Sequence, residues 1–197
     1  MNIALFDFDG TITNTDTLFK FTKIAKGKFN FYSGIFILSP MFLFNLLKLI
    51  PNWKAKELML SYFFKGVSKD SFENHCADFE LVINCNLKQE AIEAIKTHKN
   101  KGHKIIIISA SVENWIKPWA LNNDVDEVIA TRLEFDSNNK FTGKFNGKNC
   151  NGNEKVVRYK NIYPNRDNNI IYAYGDSNGD REMLSFADFG YFRKFKD

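Results

Sequence analysis

Cysteine is scarce and badly placed for cross-links. Cys76, Cys85 and Cys150 are odd in number, widely spaced and include no Cys-x-x-Cys pair. That excludes a disulfide framework and a structural zinc site, and it favours a reducing, cytoplasmic compartment. Low-complexity tracts and internal repeats are absent, so neither a disordered chain nor a repeat array is indicated. Charge is not gathered into blocks. The net +4 comes from scattered lysines, which gives no basic stripe and no case for nucleic acid. The N-terminus shows no signal peptide, because its apolar run is short and ends in carboxylates. Arginine is missing from residues 13–84.

What is present suits a globular protein of one domain plus an insertion: 197 residues, 44% hydrophobic and 25% charged. Phenylalanine is the excess, with 20 in all, crowded into the first half. Ile3 to Phe6 reads as a buried strand that stops at Asp7-Phe-Asp-Gly-Thr11. After it, Thr13 to Thr17 offer several N-caps, and only helical signals follow to about Asn84. Helices are expected over Leu18 to Ala25, ending at Gly27, over Asn52 to Lys65, broken at Gly66, and over Ser68 to Val82. In the last, Ser71, Phe72, His75, Phe79 and Val82 recur at helical spacing.

Residues 31–50 are apolar on every helical face, with Lys48 the only charge. The length matches the ~20 residues of a membrane span. A single span would put Asp7 and the later polar turns on opposite sides of a bilayer, and Pro40 would kink or split the helix. Two readings remain: a buried hairpin in a helical cap, or a hairpin dipping into one leaflet. Lys20, Lys23, Lys26, Lys28, Lys54 and Lys56 flank the stretch and suit anionic headgroups.

From Leu87 the pattern alternates. A helix is expected over Gln89 to Asn100, a strand over Lys104 to Ile108 and a helix from about Val112 until Pro118 to Leu121. Val125 to Ala130 is a further strand, and Arg132 to Phe135 with Lys140 to Phe145 form a hairpin. Asn153 to Lys160 is helical, Ile170 to Tyr174 a buried strand, Glu182 to Phe186 a short helix and Phe189 to Phe192 a last strand. Alternating strands and helices imply an α/β fold with a parallel sheet and right-handed crossovers.

Three of these strands end in polar turns, at Asp7/Asp9, Ser109 and Asp176/Asp180. In a parallel sheet those ends share one edge, where ligands bind. Lys155, early in a helix, can add a cation. Several carboxylates within a few ångströms cannot all ionise without a cation. An oxygen-only donor set favours Mg²⁺ over zinc.

These residues resemble the haloacid dehalogenase superfamily, subfamily IB, which includes phosphoserine phosphatase. Asp7-Phe-Asp-Gly-Thr11 is similar to its first motif, Ser109 after an isoleucine-rich strand to its second, Cys150-Asn-Gly-Asn-Glu-Lys155 to its third and Gly175-Asp-Ser-Asn-Gly-Asp180 to its fourth. The resemblance implies a Rossmann-like core over 1–13 and 85–197 with an all-helical cap at 14–84. It implies a Mg²⁺-dependent phosphatase acting on a small phosphorylated substrate. Asp7 is then the nucleophile and Asp9 the acid and base. Asp7, the Asp9 carbonyl, Asp176 and Asp180 hold the metal, and Ser109, Lys155 and the N–H groups of Gly10, Thr11 and Ala110 grip the phosphoryl oxygens.

Two departures bear on the substrate. Subfamily phosphatases for phosphoserine carry an Asn at the place of Gly179, and a cap Arg that this chain lacks. The apolar insertion is similar in character to that of bacterial phosphatidylglycerophosphate phosphatases, which act on a lipid phosphate at the membrane. The alternatives are a phosphotransferase, a phosphoserine-phosphatase-like enzyme for small metabolites, and an inactive phosphate- or lipid-binding module. Asp9 speaks against a dehalogenase.

Overall fold

The computed structural model describes residues 2–164 and 169–195. The outermost residues of the expected core segments, and the link at 165–168, lie outside the described residues. In chain order the elements are β1 (Ile3–Phe6), α1 (Thr17–Lys26), α2 (Lys28–Ile37), α3 (Ser39–Leu46), α4 (Asn52–Phe64), α5 (Lys69–Asn84) and α6 (Gln89–Asn100). They continue with β2 (Lys104–Val112), α7 (Glu113–Leu121), β3 (Glu127–Thr131), β4 (Leu133–Phe135), β5 (Phe141–Phe145), α8 (Asn153–Ile162), β6 (Ile171–Gly175), α9 (Arg181–Phe186) and β7 (Phe189–Phe192).

Five strands form a parallel sheet in the order β3-β2-β1-β6-β7. The chain therefore builds outward from β1 in one direction and then in the other, which places a crevice at its carboxyl end. Both faces are buried, and this is why β1 and β2 read as unbroken apolar runs. Ala4, Phe6, Ile105 and Ile107 enter one core, whereas Ile3, Leu5, Ile106 and Ile108 enter the other. β2 runs past Ile108 to Val112, with an irregular register between Ser109 and Val112. Val112 therefore belongs to the strand, and α7 starts one residue later and continues through Pro118.

The helical segment between β1 and α6 packs on the core through aromatic rings. Phe21 lies against Trp115 of α7 at 4.7 Å between centroids, and against Phe64, Phe72 and Phe79 within its own layer. On α5 the buried stripe is Phe72, Cys76, Phe79 and Ile83 rather than the expected set, because Ser71 faces solvent. Gly27 and Gly66 end their helices with positive φ, as their positions in the sequence anticipate. The β4–β5 hairpin leaves the main sheet and joins these helices instead. Gly66 N–H donates to Phe141 O at 2.8 Å, Phe141 N–H to Val67 O at 2.9 Å and Phe145 N–H to the buried Glu57 carboxylate at 2.9 Å.

The apolar stretch is split at Leu38, with α2 and α3 bent by 57° and Pro40 in the first turn of α3. A buried hairpin is not what forms. Only Phe31, Gly34 and Met41 of these two helices are buried, while Phe29 is 83%, Phe36 80% and Leu46 78% exposed. Among the described residues no single helix is long and apolar enough to cross a membrane.

Candidate active site

β1 delivers Asp7 at its carboxyl end, and the turn Phe8–Ile12 that follows is shaped by Gly10 at φ +79°. A Cβ on Gly10 would stand 2.5 Å from Asp176 Oδ2, so the backbone approaches the second acid turn as only glycine allows. Thr11 donates its hydroxyl to Asp176 Oδ1 at 3.1 Å. That bond ties the first motif to the end of β6.

Lys155, in the first turn of α8, is 1% exposed. An ammonium so deep must be paired. Its Nζ donates to Asp7 Oδ1 at 2.6 Å and Asp180 Oδ1 at 2.5 Å. Asp180 Oδ2 accepts from Ser177 N–H at 2.9 Å and Ser177 Oγ at 2.7 Å, which closes the turn below Asp176. Ligand oxygens of Asp7, Asp176 and Asp180 all lie within 4.8 Å of one another. Three hard oxygen donors with no nitrogen or sulfur among them fit a small divalent cation of the Mg²⁺ type.

Asp9 stands apart from that group. Its carboxylate accepts from Thr17 N–H at 3.0 Å and from the Ser111 hydroxyl. Burial, then the nearby Asp16 carboxylate, pushes the Asp9 carboxyl up to about 7. Burial also pushes Asp7 up to about 6, against the pull of Lys155. Burial alone would raise Asp180 as well, but Lys155 and Ser177 hold it below the usual carboxylate range. Lys155 is carried above its ordinary value by Asp7 and Asp180, which outweigh its own burial. The edge therefore holds one acid poised to carry a proton near neutrality and a cluster of three carboxylates that one lysine neutralises only in part.

Ser109 is buried on β2, where its Oγ accepts from Ser111 N–H at 3.1 Å; Ala110 follows, its carbonyl bound by the Thr131 hydroxyl at 2.9 Å. The structure thus brings Asp7, Asp176, Asp180, Lys155, Thr11 and Gly10 into direct contact or close approach, while Ser109, Ala110 and Asp9 line the β2 side. Sequence reasoning missed Ser111 and Thr17. The signal was available, since Ser111 lies two residues beyond Ser109 and the period of a strand carries it back to the same face. Lys88, whose ammonium binds the Gly10 carbonyl, gave no such signal. At the departure from the subfamily pattern, the Asn151 side chain fills the space that a side chain on residue 179 would take, and Asn178 faces solvent. A side chain at residue 179 would oblige the Asn151 side chain to move.

A parallel sheet with helices on its faces, an acid-and-lysine cluster at its carboxyl edge and a helical insertion after the first strand together define a Rossmann-like hydrolytic enzyme. The haloacid dehalogenase-like hydrolase family model matches residues 4–185, and the chain belongs to that family. Protein CicA of Caulobacter vibrioides is 30% identical over 205 residues, covering 98% of this chain and 86% of that protein. A crystal structure of a protein with unknown function from Bordetella pertussis Tohama I superposes with a TM-score of 0.81 at 21% identity, covering 94% and 86% of the two chains. A substrate-bound phosphoserine phosphatase complex gives 0.64 at 20% identity, covering 94% and 82%. At these identities the two structural likenesses speak for the fold.

Proposed function

We propose that the protein is a Mg²⁺-dependent phosphomonoesterase working through an aspartyl-phosphate on Asp7, with the core and the 14–84 helical cap divided as the sequence suggests. The convergence of the Asp7, Asp176 and Asp180 carboxylates, with Lys155 paired to Asp7 and Asp180 and Asp9 held separately, carries this reading. The Asp7, Asp176 and Asp180 carboxylates and the Asp9 carbonyl would hold the metal, Asp180 directly or through water. When bound it supplies positive charge that screens an anionic nucleophile from an anionic phosphate.

Asp7 attacks phosphorus, so that an Oδ–P bond forms while the ester P–O bond breaks. The proton on Asp9 passes to the leaving oxygen. A water then attacks phosphorus and gives a proton to Asp9 as the bond to Asp7 breaks, releasing inorganic phosphate and restoring both carboxyls. Ser109, Lys155 and the N–H groups of Gly10, Thr11 and Ala110 hold the phosphoryl oxygens where charge spreads in transfer. Thr17 and Ser111 aim Asp9. Turnover of p-nitrophenyl phosphate tests this. Activity should require Mg²⁺, stop reversibly with EDTA and vanish in Asp7→Asn; appreciable turnover by that variant removes the nucleophile.

The substrate class we infer is a lipid-linked phosphate, met at the cytoplasmic face of an anionic membrane. The exposed apolar side chains of α2 and α3 support it, with the lysines that flank them. The unpaired cysteines suit that compartment. Flotation with anionic vesicles should deplete free protein, and Phe36→Glu with Phe44→Glu should release it. Wild type left unbound at low salt would refute the membrane contact.

A further inference from the structure

Asp9 ends a line of hydrogen bonds that starts on α7. The indole N–H of Trp115 donates to Thr17 Oγ1 at 3.1 Å, Thr17 Oγ1 lies 3.2 Å from Ser111 Oγ, and the Ser111 hydroxyl donates to Asp9 Oδ2. Trp115, Thr17 and Ser111 are all buried, and the Trp115 ring is held by its stack on Phe21. The start of α1, the end of β2 and the first turn of α7 thus meet at one carboxyl group.

A row of hydroxyls can usually point its hydrogens in either direction, but the indole removes that choice because its nitrogen only donates. Thr17 accepts from Trp115 and gives its one hydrogen to Ser111, and Ser111 gives its own to Asp9. In the opposite sense, Asp9 Oδ2–H would donate to Ser111 and Ser111 to Thr17. The Thr17 oxygen would then face two donors, and its buried hydrogen would have no acceptor among the described residues. Buried polar groups avoid that state. Asp9 Oδ1 is under no such constraint. It accepts from the Thr17 backbone N–H at 3.0 Å, and its second lone pair can carry a hydrogen without reversing any of these bonds.

We infer that Trp115 is a positioning residue for Asp9, setting the direction of the line so that Oδ2 stays an acceptor and Oδ1 handles the proton. Oδ1–H gives its proton to the leaving oxygen as the ester P–O bond breaks, and Oδ1 takes one back from the water that attacks the Asp7 phosphoryl group. This rests on the phosphomonoesterase reading and adds to it the residue that orients the acid.

Proton donation matters more as the leaving oxygen becomes more basic. The test therefore compares kcat/KM for 4-nitrophenyl phosphate with that for phenyl phosphate, whose departing phenolate is the more basic. This constant reports the half-reaction in which the aryl group leaves, not the later hydrolysis at Asp7. Trp115→Phe should raise the ratio of the two values roughly fivefold or more. Thr17→Val keeps the shape of residue 17 and its backbone N–H and should do the same, so the result does not hang on Trp115→Phe folding. The double variant should go no further than the larger single effect, because one line is broken once. Thr17→Ser, which restores the hydroxyl, should keep the wild-type ratio. Trp119→Phe is the control: Trp119 is also buried on α7 but gives its N–H to Asn84 Oδ1 at 2.9 Å, so its loss should leave the ratio alone. If Asp9→Asn raises the ratio while folded Trp115→Phe and Thr17→Val stay within twofold of wild type, the positioning role is overturned and Asp9 remains the acid. An unchanged ratio in Asp9→Asn removes the acid itself, and failure of wild type to hydrolyse either ester removes the phosphatase as well.

Discussion

Removing the ammonium at the centre of the acid cluster should destabilise the protein in a way that depends on pH. Lys155 is fully enclosed and is hydrogen-bonded to Asp7 and Asp180, so Lys155→Met keeps much of the volume and deletes the charge. Taking one partner from a buried ion pair costs roughly 3–5 kcal/mol when the other charge stays behind. The Asp7 carboxyl, already up at about 6 with Lys155 present, rises further without it and takes up a proton. Protonation at neutral pH then relieves part of the strain, which leaves a net loss of about 2–3 kcal/mol. At about 2–4 °C per kcal/mol for a chain of this size, Tm in EDTA should fall by about 4–12 °C at pH 8. The sign with pH follows. The variant lacks the cation that favours ionised Asp7, so its deficit is greatest where Asp7 would be charged and shrinks as pH falls below about 6. Melting curves of both proteins from pH 5 to pH 8 measure this. A deficit that is constant with pH, or larger at pH 5 than at pH 8, refutes the assignment of Lys155 as the cation that favours ionised Asp7.

Two further outcomes follow from named contacts. Gly10→Ala puts a side chain at φ +79° and against the Asp176 carboxylate, which costs about 1–2 kcal/mol in backbone conformation alone and displaces a proposed metal ligand. The Mg²⁺ concentration for half-maximal turnover should rise about tenfold or more, and an unchanged value would show that Asp176 does not hold the metal. His98 lies between His103, at 2.8 Å from Nδ1 to Nδ1, and the Tyr174 hydroxyl at 2.7 Å from Nε2. Burial, then His103 and Lys101, pushes it down to about 4. Its folded value is the lower one, so its contribution is present above the unfolded value of about 6.5 and is lost as pH falls through about 4. Discounted for partial solvation, the loss is about 2 kcal/mol. Urea midpoints of wild type should fall more steeply with acid than those of His98→Phe, and parallel profiles would rule the histidine out.

The sequence carried the fold wherever periodicity and punctuation agreed. The isoleucine run after Lys104 reads as a strand buried on both faces because it is one, and Gly27 and Gly66 mark helix ends because the chain there needs a positive φ. Three polar turns at strand ends, with Lys155 early in a helix, point to an acid-and-lysine cluster in the sequence itself, since parallel strand ends must share an edge. What stayed illegible depends on partners distant in sequence. Hydrophobic composition alone could not say whether residues 31–50 are covered, because nothing local records that α2 and α3 lie at the margin of the helical layer. The attachment of the β4–β5 hairpin to Val67 and Glu57 rests on backbone bonds that no spacing announces. The close approach of the Asn151 side chain to Gly179 is likewise a contact between two turns from different parts of the chain. Ser111 was within reach, yet its value lies in a bond to Asp9 across 102 residues.

The central claim is that Asp7 becomes covalently phosphorylated. The direct measurement is rapid acid quench of the Mg²⁺-loaded enzyme during turnover of p-nitrophenyl phosphate, followed by peptide mass spectrometry. A phosphoryl group should appear on the peptide holding Asp7, be lost from Asp7→Asn, and accumulate in Asp9→Asn, whose amide cannot take the proton from the attacking water. Turnover with no phosphorylated Asp7 peptide in either wild type or Asp9→Asn would contradict the account.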